Sequence, residues 1–249
     1  MDRRPDPTHI APYLNSTKDR GWSFGNQGNP EFFHFRDQLV VKGGKVLDMG
    51  IGHARSSMFF ALHDMDVEGI DLSPEVVDDI TATAEETGLP ISAREGDVSE
   101  IVFPPNSYDV VLMDFTFVHF DSREKALTTM NNALAALRRG GHMWVRAVGK
   151  EDELYDHMSS VPPMYLNVPE SPDVKWQMCG CSGQPLIEPH LFLGQTDLVQ
   201  FAAINHMNIL LSNSMPMRGR PNFMYGEDFR TGGNFNRNIG YVTLLAQKV

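Results

Sequence analysis

The sequence predicts an α/β fold, with one doubly wound, mostly parallel sheet and helices on both faces. Three observations carry that expectation. From Lys45 onward, short apolar runs of strand length alternate with helical stretches, the pattern of a parallel sheet covered on both sides. Crossovers between parallel strands are right-handed, so an uninterrupted series of them winds one sheet rather than two domains. The chain has 249 residues, 41% hydrophobic and 21% charged, a composition that suits one large globular domain and excludes wholesale disorder.

Residues 1–29 are rich in Pro, Gly, Asn and Asp and show no sustained period. Asn29-Pro30 then reads as a helix start, because Asn offers a cap oxygen and Pro at the first helical position gives up no hydrogen bond. That helix carries Phe32, Phe33, His34 and Phe35 and is expected to reach about Val41, before Gly43-Gly44. The strand-like runs are Lys45–Met49, Asp66–Asp71, Ile91–Glu95, Tyr108–Asp114 and Gly141–Val148. Ala54–His63 reads as the first crossover helix. Pro74–Thr87 reads as the second, with Ser73 as cap and Glu75 complementing the dipole. Val98–Ser107 contains Pro104-Pro105 and is expected to be short and irregular. Ser122–Arg138 reads as a helix ending on Arg138 and Arg139, with Gly140-Gly141 as its stop. After residue 150 the alternation breaks, and 151–195 reads as a helix followed by an irregular, proline-rich insertion. Thr196–His206 then reads as a helix capped by Thr196, and Asn208–Ser214 and Ile239–Gln247 as the last two strands.

Lys and Arg total 21 against 32 Asp and Glu, a formal charge of −11. That balance argues against nucleic acid or an anionic membrane as partner, since either needs a broad basic face. No apolar run approaches the roughly 18 residues of a membrane-spanning helix, and the polar N-terminus shows no secretory h-region. Two cysteines make no disulfide framework, so a cytoplasmic protein acting on a small molecule is expected, with a homodimer left open.

The most informative stretch is Val46-Leu47-Asp48-Met49-Gly50-Ile51-Gly52, which ends a strand and opens a helix at the first βα turn. Open α/β sheets bind nucleotide-like ligands there, and glycines let the backbone approach the ligand. A dinucleotide site wants G-x-G-x-x-G with a pyrophosphate on the helix N-terminus. Here Arg55 holds the third glycine position, and Asp48 would repel a pyrophosphate but suits a cationic amino group. The pattern favours S-adenosylmethionine (SAM) over NAD. Asp71 ends the second strand, 21 residues beyond Gly50, where a carboxylate can accept both ribose hydroxyls. Gly96-Asp97-Val98 follows the third strand and offers a carboxylate for an adenine amino group and an N–H for a ring nitrogen. Asp114 ends the fourth. One strand-end Asp is more often a cap or turn former than a ligand; four in order along one edge make a constellation.

Over residues 40–149 the chain resembles the class I SAM-dependent methyltransferases. The resemblance rests on the D-x-G-x-G of strand one, the acidic end of strand two, the Gly-Asp after strand three, Tyr-Asp-Val-Val in strand four and Arg-Arg-Gly-Gly before strand five. It is most similar to the small-molecule methyltransferases of the tellurite-resistance and methyltransferase-11 type. The resemblance implies a Rossmann-like seven-stranded sheet with the last strand, Ile239–Gln247, antiparallel. It implies that Asp48, Gly50 and Gly52 surround the methionine part of SAM, Asp71 holds the ribose, and Asp97 and Val98 hold the adenine, with Leu72 also among the cofactor-binding residues. Asp114 and Phe115 would border the sulfonium. On this reading 1–249 is one domain: N-terminal lid and helix to residue 44, SAM core 45–149, cap insertion 151–195, then a helix and two strands. The N-terminal extension and the insertion depart from the family, so the substrate does not transfer.

Weaker constellations remain. His119 lies five residues past the fourth strand and reads either as a general base or as a packing histidine. Tyr13, Trp22 and Phe24 are unusual in a polar tail and suggest a lid that folds over the cofactor, with oligomer contacts as the alternative. Phe32, Phe33 and Phe35 read equally as core. Arg218, Arg220, Arg230 and Arg237 share one loop and suggest a carboxylate- or phosphate-bearing substrate, or simply solvated arginines. Cys179-Gly180-Cys181 with His190 lacks the four ligands of a structural zinc, so no metal is expected. The expected function is methyl transfer from SAM to a small molecule; the alternatives are another SAM-consuming reaction, such as its cyclisation with release of methylthioadenosine, and a non-catalytic SAM-binding subunit.

Overall fold

A computed structural model describes residues 29–150, 165–167, 174–179, 186–217 and 239–249, with side chains over 29–150, 191–214 and 240–249. The strands β1 (Lys45–Met49), β2 (Asp66–Asp71), β3 (Ile91–Glu95), β4 (Tyr108–Asp114) and β5 (Leu137–Val148) run parallel. After them come β6 (Tyr165–Asn167), β7 (Val174–Cys179), β8 (Leu186–Leu191), β9 (Asn208–Met217) and β10 (Ile239–Gln247). Seven strands form one sheet in the order β3-β2-β1-β4-β5-β10-β9, with β10 antiparallel to both neighbours. Strand order reverses between β1 and β4, and ligands of such sheets bind at the carboxyl ends beside that reversal.

The two faces bury different side chains because successive strand residues point opposite ways. One face packs Val46, Val110, Leu112 and Trp144 under α1 (Pro30–His34), α2 (Arg36–Leu39), α3 (Ser57–Ala61) and α4 (Pro74–Thr87). The other packs Leu47, Val111, Met113 and Val145 under α5 (Arg123–Ala136) and α6 (Gln195–Ile204). Among the described residues no helix is long and apolar enough to cross a membrane.

Helix α4 keeps its expected bounds. The Ser73 hydroxyl accepts from the Val76 N–H at 3.3 Å, Pro74 opens the first turn, and Gly88 closes it in a left-handed C-cap. The connection over 98–107 is irregular, as the proline pair implied.

Five expectations are corrected. The N-terminal helix breaks at Phe35 into α1 and α2 and ends at Leu39, and Asn29 does not cap it; its side chain turns inward instead. The first crossover helix is only Ser57–Ala61, because Ala54 sits at φ +56° and keeps 52–56 in turns. Helix α5 stops at Ala136, and Arg138 and Arg139 belong to β5, which starts at Leu137. Pairing wins over the dipole there: Leu137 registers with Tyr108, and Gly140 and Gly141 bond the Lys248 backbone at 2.8 and 2.9 Å. Helix α6 starts at Gln195 after Gly194, whose N–H donates to the Asp197 carboxylate at 2.8 Å, so Thr196 is helical rather than a cap. Finally, the segment read as irregular contains an antiparallel three-stranded sheet, β6-β7-β8. It leaves and rejoins the core at one stem, where Leu193 and Lys150 exchange bonds with Val148 and Leu193 at 3.0 and 3.2 Å.

Candidate cofactor site and active site

The site grows from the turn after β1. Gly50 holds φ +85°, and a Cβ there would stand 3.0 Å from the Thr116 methyl, so glycine is required on both counts. The Gly50 and Ile51 N–H groups donate to the Ile70 carbonyl at 2.8 and 2.9 Å, which ties the turn to β2. The Thr116 hydroxyl donates to the Met49 carbonyl and ties it to β4.

Asp48 points from β1 toward α3 and is buried. Its Oδ2 accepts from the Ser57 hydroxyl at 2.6 Å, while its Oδ1 is buried without a partner. Burial pushes the carboxyl up to about 8; the carboxylates of Asp114 and Asp71 add to the rise, and the Ser57 bond and Arg55 oppose it. Asp71 accepts the Gly52 N–H on Oδ2 at 2.9 Å and the Ser73 N–H on Oδ1 at 3.1 Å. Leu72 beside it is exposed and Val98 is buried. Asp97 accepts the Ser99 N–H and hydroxyl on Oδ1 at 2.8 and 2.7 Å.

Asp114 is more enclosed than a strand-end carboxylate read from sequence. Its Oδ2 accepts from Arg55 at 2.6 Å, the Ser56 hydroxyl at 2.5 Å and the Asn29 amide at 3.2 Å. Burial alone would raise this carboxyl, but Arg146 and Arg55, with the Ser56 and Asn29 bonds, pull it down to about 2. It is a buried anion between two guanidinium groups. Phe115 follows at φ +64°, a conformation that costs a non-glycine residue energy, and lies between Arg55 and Arg146, each 5.9 Å from its ring centroid. His119 is exposed at the end of the Thr116–His119 turn, against which β8 runs.

The structure thus brings Asp48, Gly50, Gly52, Asp71, Leu72, Asp97, Val98, Asp114 and Phe115 to one edge of the sheet. Phe32 is core, edge-on to Trp144 with ring centroids 4.7 Å apart, whereas Phe33 is exposed. Tyr13, Trp22, Phe24, Arg218, Arg220, Arg230, Arg237 and Cys181 lie outside the described residues; Cys179 and His190 are described only as backbone positions in β7 and β8. Among the described residues no three metal-ligating side chains cluster. Sequence reasoning missed Asn29, Glu31, Ser56, Ser57 and Arg146. Arg146 had a signal, a lone charge inside the apolar run Met143–Val148; the others had none.

The donors and acceptors fit SAM. Each Asp71 oxygen spends one acceptor position on a backbone amide and keeps lone pairs for vicinal hydroxyls. The orphaned, buried Asp48 oxygen lacks the donor or cation that a SAM amino group supplies.

Residues 46–141 match the family model of a methyltransferase domain. The chain is 25% identical over 113 residues to an uncharacterized methyltransferase, YcgJ, of Bacillus subtilis, covering 45% of this chain and 44% of that one. It is 23% identical over 122 residues to a ubiquinone biosynthesis O-methyltransferase of Coxiella burnetii, covering 49% and 51%. The chain spans about half the length of these curated relatives. In fold it is similar to a SAM-dependent methyltransferase from Methanosarcina mazei, with a TM-score of 0.66 at 17% identity over 89% of this chain and 98% of that one. The matched core over residues 46–141, the sheet order with its antiparallel β10 and the acids at the strand ends make this chain similar to the class I SAM-dependent methyltransferases over that core.

Proposed function

We propose that the protein transfers the methyl group of SAM to a small molecule, leaving S-adenosylhomocysteine. One observation carries the reading: acids at the carboxyl ends of β1, β2 and β4, and just past β3, with Asp71 locked by the Gly52 and Ser73 amides in an orientation that suits a ribose. SAM supplies a methyl already activated by its sulfonium. The chain's own residues therefore bind, orient and exclude water. Asp48 and the Gly50–Gly52 turn take the methionine part, Asp71 and Leu72 the ribose, and Asp97 and Val98 the adenine. Asp114 and Phe115 border the reacting end. There Phe115, Val118, Val148, Phe192 and Tyr241 form a buried apolar cluster that floors the acceptor side under β8. His119 takes the acceptor's proton where the acceptor is protonated at neutral pH. The net charge of −11 supports a small acceptor over a polyanion.

Calorimetric titration with SAM tests the site. Wild type is expected to bind, and the double variant Asp48→Ala, Asp71→Ala to lose binding. Silence in the wild type, or undiminished binding in the double variant, would sink the assignment. Product analysis tests the reaction: methylthioadenosine in place of S-adenosylhomocysteine excludes methyl transfer.

A further inference from the structure

The polar groups at the strand ends form one connected chain that begins outside the matched core. Arg146 leaves the end of β5 with its side chain buried. Its Nη2 lies 3.2 Å from Glu31 Oε2 on α1, its Nη1 donates to Asn29 Oδ1, and its Nε lies 3.7 Å from Asp114 Oδ1. Trp144, Tyr241 and Phe115 flank the guanidinium at 5.0, 5.2 and 5.9 Å. The Asn29 amide donates both to Asp114 and, at 2.9 Å, to the Ser56 hydroxyl. Ser56 and Ser57 are consecutive at the start of α3; the first donates to Asp114 and the second to Asp48. Glu31 is therefore linked to Asp114 through Arg146 and Asn29, and the adjacent Ser56 and Ser57 tie Asp114 and Asp48 to one turn of backbone.

Glu31 and Asn29 hold the guanidinium toward α1. Arg146 Nε and Asp114 Oδ1 remain buried without a hydrogen-bond partner, because 3.7 Å is too long for a bond. The Asp114 charge is compensated through space but not closed by contact, and Asp48 stands on the adjacent strand.

We propose that Asn29, Glu31 and Arg146 are positioning residues of the SAM site, setting through Asp114 the charge that Asp48 experiences. The proposal rests on the reading of this edge as the SAM site. Facing Asp48 are Asp71 from β2, Asp114 from β4, Arg55 from the turn and Ser57 from α3. Facing Arg146 are Glu31 from α1, Asp114 from β4 and Tyr241 from β10. An arriving cation favours ionised Asp48, so SAM binding releases a proton wherever the free protein holds one there. Neutralising Glu31 leaves the Arg146 charge less compensated and free to close on Asp114, which eases proton loss from Asp48. Neutralising Arg146 does the reverse.

The test is calorimetric titration of the full chain with SAM across pH, in two buffers of different ionisation enthalpy, which counts protons released. In Glu31→Gln the midpoint of proton release is expected about half a pH unit lower than in wild type, and in Arg146→Gln about as much higher. Asn29→Asp adds a negative charge at the same place and moves the midpoint upward too, so the sign test survives if Arg146→Gln fails to fold. Structural damage would not split the signs. Unmoved midpoints, or shifts of one sign for Glu31→Gln and the other two variants, overturn the proposal. A wild type that gives no SAM binding overturns the underlying site instead.

Discussion

Two buried carboxyl groups on adjacent strands titrate in opposite directions. The folded-state value of Asp48, about 8, lies above its ordinary 3.8, so the folded protein keeps a proton that the unfolded chain releases. Stability from this residue therefore falls as pH rises through the window between those values and levels off above it. Asp48→Asn removes the dependence. Its melting temperature is expected to equal that of wild type at about pH 4 and to exceed it by pH 8, a gap on the order of a few kcal/mol. Parallel melting curves at every pH would show that the carboxyl is not held protonated. Asp114 behaves in the opposite sense: its value is depressed to about 2, so its stabilisation is present above the ordinary 3.8 and is lost as pH falls through 2. Asp114→Asn leaves the buried Arg146 and the partly buried Arg55 guanidinium groups short of an anion and is expected to cost about 3–5 kcal/mol in urea denaturation at neutral pH.

Local chemistry explains the elements whose ends were legible, and distant partners explain the rest. Helix α4 obeys Ser73, Pro74 and Gly88, all within or beside it in sequence. The end of α5 obeys the last residues of the chain: Lys248 Nζ donates to the Leu134 and Leu137 carbonyls at 2.9 and 2.6 Å and to Asn106 Oδ1 at 3.2 Å. Lys248→Met is expected to cost about 1–2 kcal/mol through lost capping of those carbonyls, read as a lower urea midpoint with unchanged slope. Strand β2 shows the same dependence on a distant side chain. A Cβ on Gly69 would fall 2.2 Å from the Ile51 Cδ1 and 2.9 Å from its Cβ. Gly69→Ala is expected to destabilise by about 1–3 kcal/mol and to weaken SAM binding, because Ile51 belongs to the turn proposed to take the cofactor.

At the scale of the molecule, the insertion meets the core at the stem of Val148, Lys150 and Leu193 and where β8 packs on the Thr116–His119 turn. Replacing residues 151–190 with a short Gly/Ser linker is expected to leave the seven-stranded sheet folded and SAM affinity within about threefold, by circular dichroism and calorimetry. Loss of cooperative folding in that variant would make the insertion part of the core.

The sequence alone determined the succession of parallel strands and crossovers and the acids at the strand ends. Each of those features is written in a local pattern of period, cap or glycine turn, so no knowledge of distant residues was needed. Only the tertiary structure decided what those acids are. Asp48 becomes a buried acid held by one serine, and Asp114 becomes an anion between Arg55 and Arg146, because burial and partners set the charge of a carboxyl. Asn29 read as a helix cap and is a buried bridge to residues 56, 114 and 146. Its role depends on side chains up to 117 positions away, and no local pattern encodes a partner at that distance.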